Sequence, residues 1–302
     1  FVNFNFKFVS NNLYFKNNHN EVRPLNKDLS QYPIIVLDDR VSSFIENNQL
    51  VRKDPYRDNT RYGTIIGRGC PYFCTYCSNS FMIDNVYGKE WRQIRYRRWE
   101  KVIKELKLVK QYLPKVERIN FYDEVFTVKN EQFFESYKQN IGLPFYCMFY
   151  PGTCSEKMAE ILKSSGLAGV WVGIQSGSEE IRSKIFKRYY SNELIIKQAE
   201  IFKKYDINVR YDFILDNPFE DTRDYMSFIK LLRELPKPFS VNLFSLKYFP
   251  NTEITNMALE ARYITKKKLD DSLETPHHNY LISKQRREKL QQILNDKEIT
   301  IV

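Results

Sequence analysis

No stretch of this 302-residue chain approaches the roughly 18 apolar residues that a membrane-spanning helix needs. No basic N-terminal region leads into an apolar core, so no secretory leader is expected. The chain has five cysteines, and an odd count argues against a closed disulfide framework. Three of the five fall between Cys70 and Cys77, a clustering that favours metal ligation in a reducing compartment. Glycine is scarce, with 10 residues, while Lys and Asn are plentiful, a bias that base composition explains. What is abundant is aromatic: 22 Phe and 21 Tyr provide material for a large core. The expectation is a soluble, cytoplasmic protein.

The formal charge is +10. The lysines are scattered along helical patterns rather than gathered into a block, which reads as a solvated surface. Nucleic acid is therefore not the expected partner, and no membrane is expected. The chain opens on Phe1, and apolar and polar residues alternate over much of 1–9, as in a half-buried strand. On this reading the chain starts inside a folded region, with further sequence before it.

From Tyr62 onward strand and helix patterns alternate. Strands are expected at Thr64–Gly67, Val116–Tyr122, Pro144–Phe149, Ala168–Ile174, Ile207–Leu215 and Phe239–Ser245. Helical spacing covers Trp99–Leu113, Glu131–Gln139, a segment from Ser155, Ser178–Phe186, Asn192–Tyr205 and Thr222–Glu234. Six such units predict an α/β fold, a partial (β/α)6 TIM-type barrel with N-terminal and C-terminal extensions, with a flat doubly wound sheet as the alternative. The predicted divisions are an extension over 1–60, a core barrel over 61–255 and a helical extension over 256–302. Chemistry in such barrels gathers at the C-terminal ends of the strands.

The loop after the first strand reads Arg68-Gly69-Cys70-Pro71-Tyr72-Phe73-Cys74-Thr75-Tyr76-Cys77. Gaps of three and two residues let three thiolates converge on one object, either zinc or an iron–sulfur cluster. A structural zinc would need a fourth ligand. A 4Fe–4S cluster held by three thiolates leaves one iron open. Cys147 and Cys154 read as core thiols. His277 and His278, adjacent near Pro276, read as a surface turn rather than ligands. Arg95, Arg97 and Arg98 suit either a bound carboxylate or phosphate, or a solvated face.

The spacing, with Tyr76 just before the third cysteine, resembles the signature of radical S-adenosylmethionine enzymes. The resemblance runs from about Arg61 to Glu253. It implies a 4Fe–4S cluster on Cys70, Cys74 and Cys77, whose open iron chelates S-adenosylmethionine, and an electron donor such as flavodoxin or ferredoxin. Tyr76 would pack near the adenine. Asn120–Thr127 resembles the second-strand motif, which implies Asp123 and Glu124 at the methionine end. Gly173-Ile174-Gln175-Ser176-Gly177 is similar to the fourth-strand motif, which implies Gln175 and Ser176 at the ribose. Ile214–Thr222 resembles the motif that meets the adenine at Ile214, with Asp216 and Phe219 in place of its glycines. Tyr248–Glu253 resembles the turn after the sixth strand, carrying Tyr248 as a further cofactor contact.

The cysteine loop looks most like the branch that carries a cobalamin-binding domain, and residues 11–60 resemble the linker to that domain. No Asp-x-His-x-x-Gly cobalamin motif occurs in the chain. The resemblance thus implies cobalamin held outside this chain and methyl transfer to a small-molecule or peptide substrate. A radical oxidoreductase or cyclase is the alternative. A non-enzymatic iron–sulfur or zinc module is the rival from another class.

Overall fold

The computed structural model describes residues 14–15, 18–19, 25–35, 37–40, 42–128, 130–273 and 282–302. The alternation at 1–9 and the histidine pair at 277 and 278 lie outside the described residues.

Seven strands form one parallel sheet in chain order: β1 (Arg61–Thr64), β2 (Arg118–Phe121), β3 (Phe145–Phe149), β4 (Leu167–Gln175), β5 (Asn208–Leu215), β6 (Phe239–Ser245) and β7 (Ile299–Ile301). The period-two patterning sorts each strand onto two faces. Val170, Val172 and Ile174 of β4, with Val209, Tyr211 and Phe213 of β5, are buried in the main core. The helices α1 (Trp99–Tyr112), α2 (Glu131–Asn140), α3 (Glu156–Ser164), α4 (Asn192–Lys204) and α5 (Thr222–Glu234) cover that face. They contribute Leu106, Phe133, Leu162, Phe202 and Leu232 to the same core, so each amphipathic stripe is spent against the sheet. Four of the five start on a side-chain or capping-box N-cap, namely Asn130, Ser155, Ser191 and Asp221.

The opposite face lines the concave interior. There Trp171 stacks between Tyr122 and Tyr146, at ring-centroid distances of 5.7 and 5.8 Å. Arg210 lies 5.1 Å from the Trp171 ring and Arg118 lies 4.8 Å from the Tyr146 ring. This is a partial TIM-type barrel. Among the described residues nothing pairs β1 with β7, so the barrel stays open along one side. No described helix is long and apolar enough to cross a membrane.

Three expectations need correction. The first strand ends at Thr64 instead of running to Gly67. Beyond it, the Asp123 carboxylate accepts the Ile66 and Gly67 N–H groups at 3.1 and 2.5 Å, so these donors are lost to the ladder. Gly67–Arg68 pairs antiparallel with Arg95–Tyr96 instead. The second correction is at the tail. Alongside its helices, Lys266–Leu273 and Lys284–Leu294 among them, it supplies β7, and Ile299 joins the main core. Three residues are too few for periodicity to show. The third concerns type alone: Ser178–Phe186 is helical over 179–185 as expected, but winds as a π turn at Ile181–Ile185, closed by the Phe186 N–H on the Ile181 carbonyl at 2.9 Å.

One buried pair ties α1 to β1. Glu105 is 4% exposed, pairs with the Arg97 guanidinium, and accepts from the Thr64 hydroxyl at 2.7 Å. Arg97 therefore serves the fold. Replacing it with methionine strands a buried carboxylate, and a loss of about 3–5 kcal/mol is expected. Chemical denaturation checks this: Arg97→Met with Glu105→Leu should recover most of the loss, and no recovery would show that the pair is not what the single change broke.

Candidate active site

The cysteine loop leaves β1 at the C-terminal end of the strands and is anchored at several points. The Thr75 hydroxyl donates to the Ile185 carbonyl at 2.6 Å, and the Ile254 N–H to the Thr75 carbonyl at 3.2 Å. The Cys77 N–H closes a turn on the Cys74 carbonyl at 3.1 Å. Arg92 donates to the Tyr72 carbonyl at 2.5 Å while its guanidinium lies 3.5 Å from the Phe73 ring. All three loop cysteines are free thiols, Cys74 buried and the other two half-buried.

Burial pushes the Cys70 thiol up to about 11, and the neighbouring Cys74 and Cys77 push the same way. Burial also raises Cys77. The three sulfurs thus feel one another. Among the described residues, no three His, Cys, Asp or Glu side chains converge closely enough to hold a single metal ion. A multi-iron cluster meets each sulfur through a different iron and does not require that convergence. Together with the Arg188 guanidinium donating to the Cys74 sulfur at 3.5 Å, the donor set fits such a cluster. Cys147 and Cys154 sit in the main core, as expected for structural thiols.

The structure brings several other expected residues together. Tyr76, Gln175 and Ile214 line one cavity of about 200 Å³, with Asp212 and Phe244. Tyr248 packs with Tyr76 and Ile214 in a small apolar cluster around Phe186 and Ile254. Gln175 takes a left-handed φ of 73°, unusual for a residue with a side chain, at a register shift where β4 ends. A Cβ on Gly173 would lie 2.3 Å from the Gln175 Nε2, so that glycine leaves room for the amide in its present rotamer.

Others are placed elsewhere. Asp123 is 3% exposed, with its carboxylate engaged by the two backbone donors at the root of the loop. It shapes the loop and does not face the Gln175 cavity. Glu124 pairs with Arg68 at 3.2 Å and shares a cavity of about 370 Å³ with Cys70, Trp91 and Arg95. Its Oε2 is buried and unpartnered there, as are Trp91 Nε1 and Arg95 Nε. Arg98 is largely exposed beside Asp28.

The Ser176 hydroxyl donates to Glu220 Oε1 at 2.7 Å and accepts the Ser178 N–H at 3.2 Å. Burial pushes Glu220 up to about 7, from an ordinary value of 4.5. A raised acid is favoured in its protonated form by folding. Its contribution is complete below pH 4.5 and is lost as pH rises through about 7. Wild type should therefore lose melting temperature relative to Glu220→Gln between pH 5 and 8; parallel profiles would refute the buried acid.

Two residues at this site carried no warning in the sequence. Arg182, fully buried, donates to the Ser176 carbonyl at 2.7 Å and to Asn192 Oδ1 at 2.6 Å. Arg188 bonds Cys74, Tyr76, Gly173 and Tyr190. In a chain this rich in basic residues, only burial sets these two apart.

A cysteine trio on the loop after the first strand of an open parallel barrel, beside a cavity at the strand ends, defines an iron–sulfur enzyme of the S-adenosylmethionine-cleaving class. The chain belongs to the Radical SAM superfamily, whose family model matches residues 64–232. Members of this superfamily hold a 4Fe–4S cluster and S-adenosylmethionine on this fold. The chain is 26% identical over 245 residues to an uncharacterized methyltransferase of Pyrococcus horikoshii, covering 78% of this chain and 48% of that protein. It is 27% identical over 172 residues to a putative methylthiotransferase of Methanocaldococcus jannaschii, covering 53% and 36%. It thus spans about half or less of the length of these relatives.

Among solved structures, the radical S-adenosylmethionine methyltransferase TsrM of Kitasatospora setae, with tryptophan and a SAM analog bound, superposes with a TM-score of 0.55 at 18% identity. That match covers 68% of this chain and 40% of TsrM. SuiB of Streptococcus suis bound to S-adenosylmethionine gives 0.52 at 10% identity, over 82% and 50%. At these identities the likeness is one of fold.

Proposed function

We propose that Cys70, Cys74 and Cys77 hold a 4Fe–4S cluster and that the chain uses it to cleave S-adenosylmethionine, starting methyl transfer to a small-molecule or peptide substrate. The observation that carries this reading is the position of the cysteine loop, with Tyr76 of that loop forming one wall of the cavity that also holds Gln175 and Ile214. When bound, the cluster supplies one electron to the sulfonium. The protein's own groups bind and orient. Tyr76, Ile214 and Tyr248 offer an apolar seat for the adenine. The Gln175 amide both donates and accepts, which suits ribose hydroxyls. Ser176 acts indirectly, fixing the end of β4 through Glu220. Glu124 lies beside Cys70 with one oxygen free to take a methionine amino group.

On this reading residues 1–60 link the barrel, 61–255, to a cobalamin-binding domain outside the chain, and 256–302 form the C-terminal extension. A flavodoxin or ferredoxin delivers the electron. Methyl transfer is supported by the curated relatives, a methyltransferase and a methylthiotransferase by description. The test is anaerobic reconstitution with iron and sulfide, reduction, and assay of S-adenosylmethionine cleavage. About four iron per chain with cleavage is expected. Tight zinc without cleavage would overturn the reading. Cleavage with no methyl transfer when cobalamin is supplied on its own domain would favour the oxidoreductase alternative.

A further inference from the structure

Arg188 is a buried cation. It is 7% exposed, yet among the described residues its guanidinium pairs with no Asp or Glu. Its partners are Cys74 Sγ at 3.5 Å, the Tyr76 hydroxyl at 3.0 Å, the Gly173 carbonyl at 2.7 Å and the Tyr190 hydroxyl at 2.9 Å. The Tyr150 ring lies 4.2 Å from the centre of the guanidinium. Guanidinium does not give up its proton in proteins, and a charge taken out of water needs a counter-charge. A backbone carbonyl and phenol hydroxyls are neutral partners. Of these partners, only Cys74, as a ligand thiolate, can supply the negative charge.

We infer that Arg188 is a tuning residue: it sets a fixed positive charge and an N–H···S hydrogen bond on the Cys74 corner of the cluster and so makes the cluster easier to reduce. The inference rests on the reading of Cys70, Cys74 and Cys77 as cluster ligands. Each electron added makes such a cluster more negative, so a contacting cation stabilises the reduced form more than the oxidised one. Net charge, hydrogen bonds to sulfur and solvent exposure are the levers that set cluster potentials, and Arg188 acts on the first two. Burial keeps its charge from being screened. The same fork grips Gly173, while the Tyr190 hydroxyl donates to the Ile174 carbonyl at 2.8 Å. The sulfur being tuned and the strand end carrying Gln175 are therefore held by one rigid bracket.

The experiment reconstitutes the full chain anaerobically and titrates it at poised potentials, counting reduced cluster by electron paramagnetic resonance. Wild type, Arg188→Lys and Arg188→Gln are compared. At a fixed potential the reduced-to-oxidised ratio of Arg188→Gln should fall about tenfold, equivalent to 59 mV for a one-electron couple. Arg188→Lys keeps the charge but loses the fork, and should fall about threefold. A purely structural arginine would change cluster loading and leave this ratio alone. A wild-type ratio in Arg188→Gln overturns the inference. If Arg188→Gln loads no cluster, Arg188→Lys decides, and no fall there overturns it. A wild-type chain that takes up no four-iron cluster overturns both this inference and the functional reading beneath it.

Discussion

Replacing Cys74 with alanine is expected to abolish cluster loading and S-adenosylmethionine cleavage while leaving the barrel folded. The two halves of that expectation have different sources. Loading fails because two thiolates, Cys70 and Cys77, cannot replace three, and no other cysteine is within reach: Cys147 and Cys154 are locked in the main core. The barrel survives because its core is built from strands and helices to which the cysteine loop adds little, and Cys74 is absent from that core. The change removes one sulfur and leaves the Arg188 guanidinium short of one partner. A loss of about 1–2 kcal/mol is appropriate for that, and at roughly 2–4 °C per kcal/mol it lowers the melting temperature by only a few degrees. Iron content, S-adenosylmethionine cleavage and the thermal melt of the same sample check all three parts. Retained cleavage would sink the assignment of Cys74, and a collapsed melt would show that the loop carries the fold.

The barrel was legible because its burial obeys simple periods. Val170, Val172 and Ile174 repeat every second residue, and five helices carry one apolar stripe each, so the order of elements could be read directly. The cysteine trio was legible because its spacing is short and local. What escaped depends on contacts between distant segments. Asp123 looks like a residue at a strand tip, and only the fold shows its carboxylate holding the Ile66 and Gly67 N–H groups, which also explains why β1 stops early. Strand β7 is too short to show a period. Arg182 and Arg188 sit among many surface cations in the sequence, and nothing local marks them as buried. Gln175, in contrast, is legible from its side chain, and the structure adds its left-handed backbone as a second feature of its position.

The glycine two residues beyond Gln175 carries the other large expected effect. A Cβ on Gly177 would lie 2.6 Å from the Phe228 nitrogen and 2.8 Å from the Phe228 Cβ. These are atoms of α5 at its own backbone, so no rotamer change relieves the overlap. Phe228 is itself 3% exposed and packs edge-on against Phe213 of β5 at 4.8 Å, so the helix cannot retreat without opening the core. Gly177→Ala must therefore push α5 and the end of β4 apart. Overpacking of this kind costs about 3 kcal/mol or more when backbone is involved, and a melting temperature lower by about 6 °C or more is expected. The effect should reach function as well. Glu220 stands two residues before the first residue of α5, and its bond from Ser176 spans the same gap. Displacing the helix stretches that bond and loosens the turn at Gln175, so weaker binding of S-adenosylmethionine should accompany the lost stability, read by calorimetric titration on the reconstituted protein. A Gly177→Ala chain that melts and binds like wild type would show that α5 does not rest on this residue, and that the glycine of the fourth-strand motif has some other purpose here.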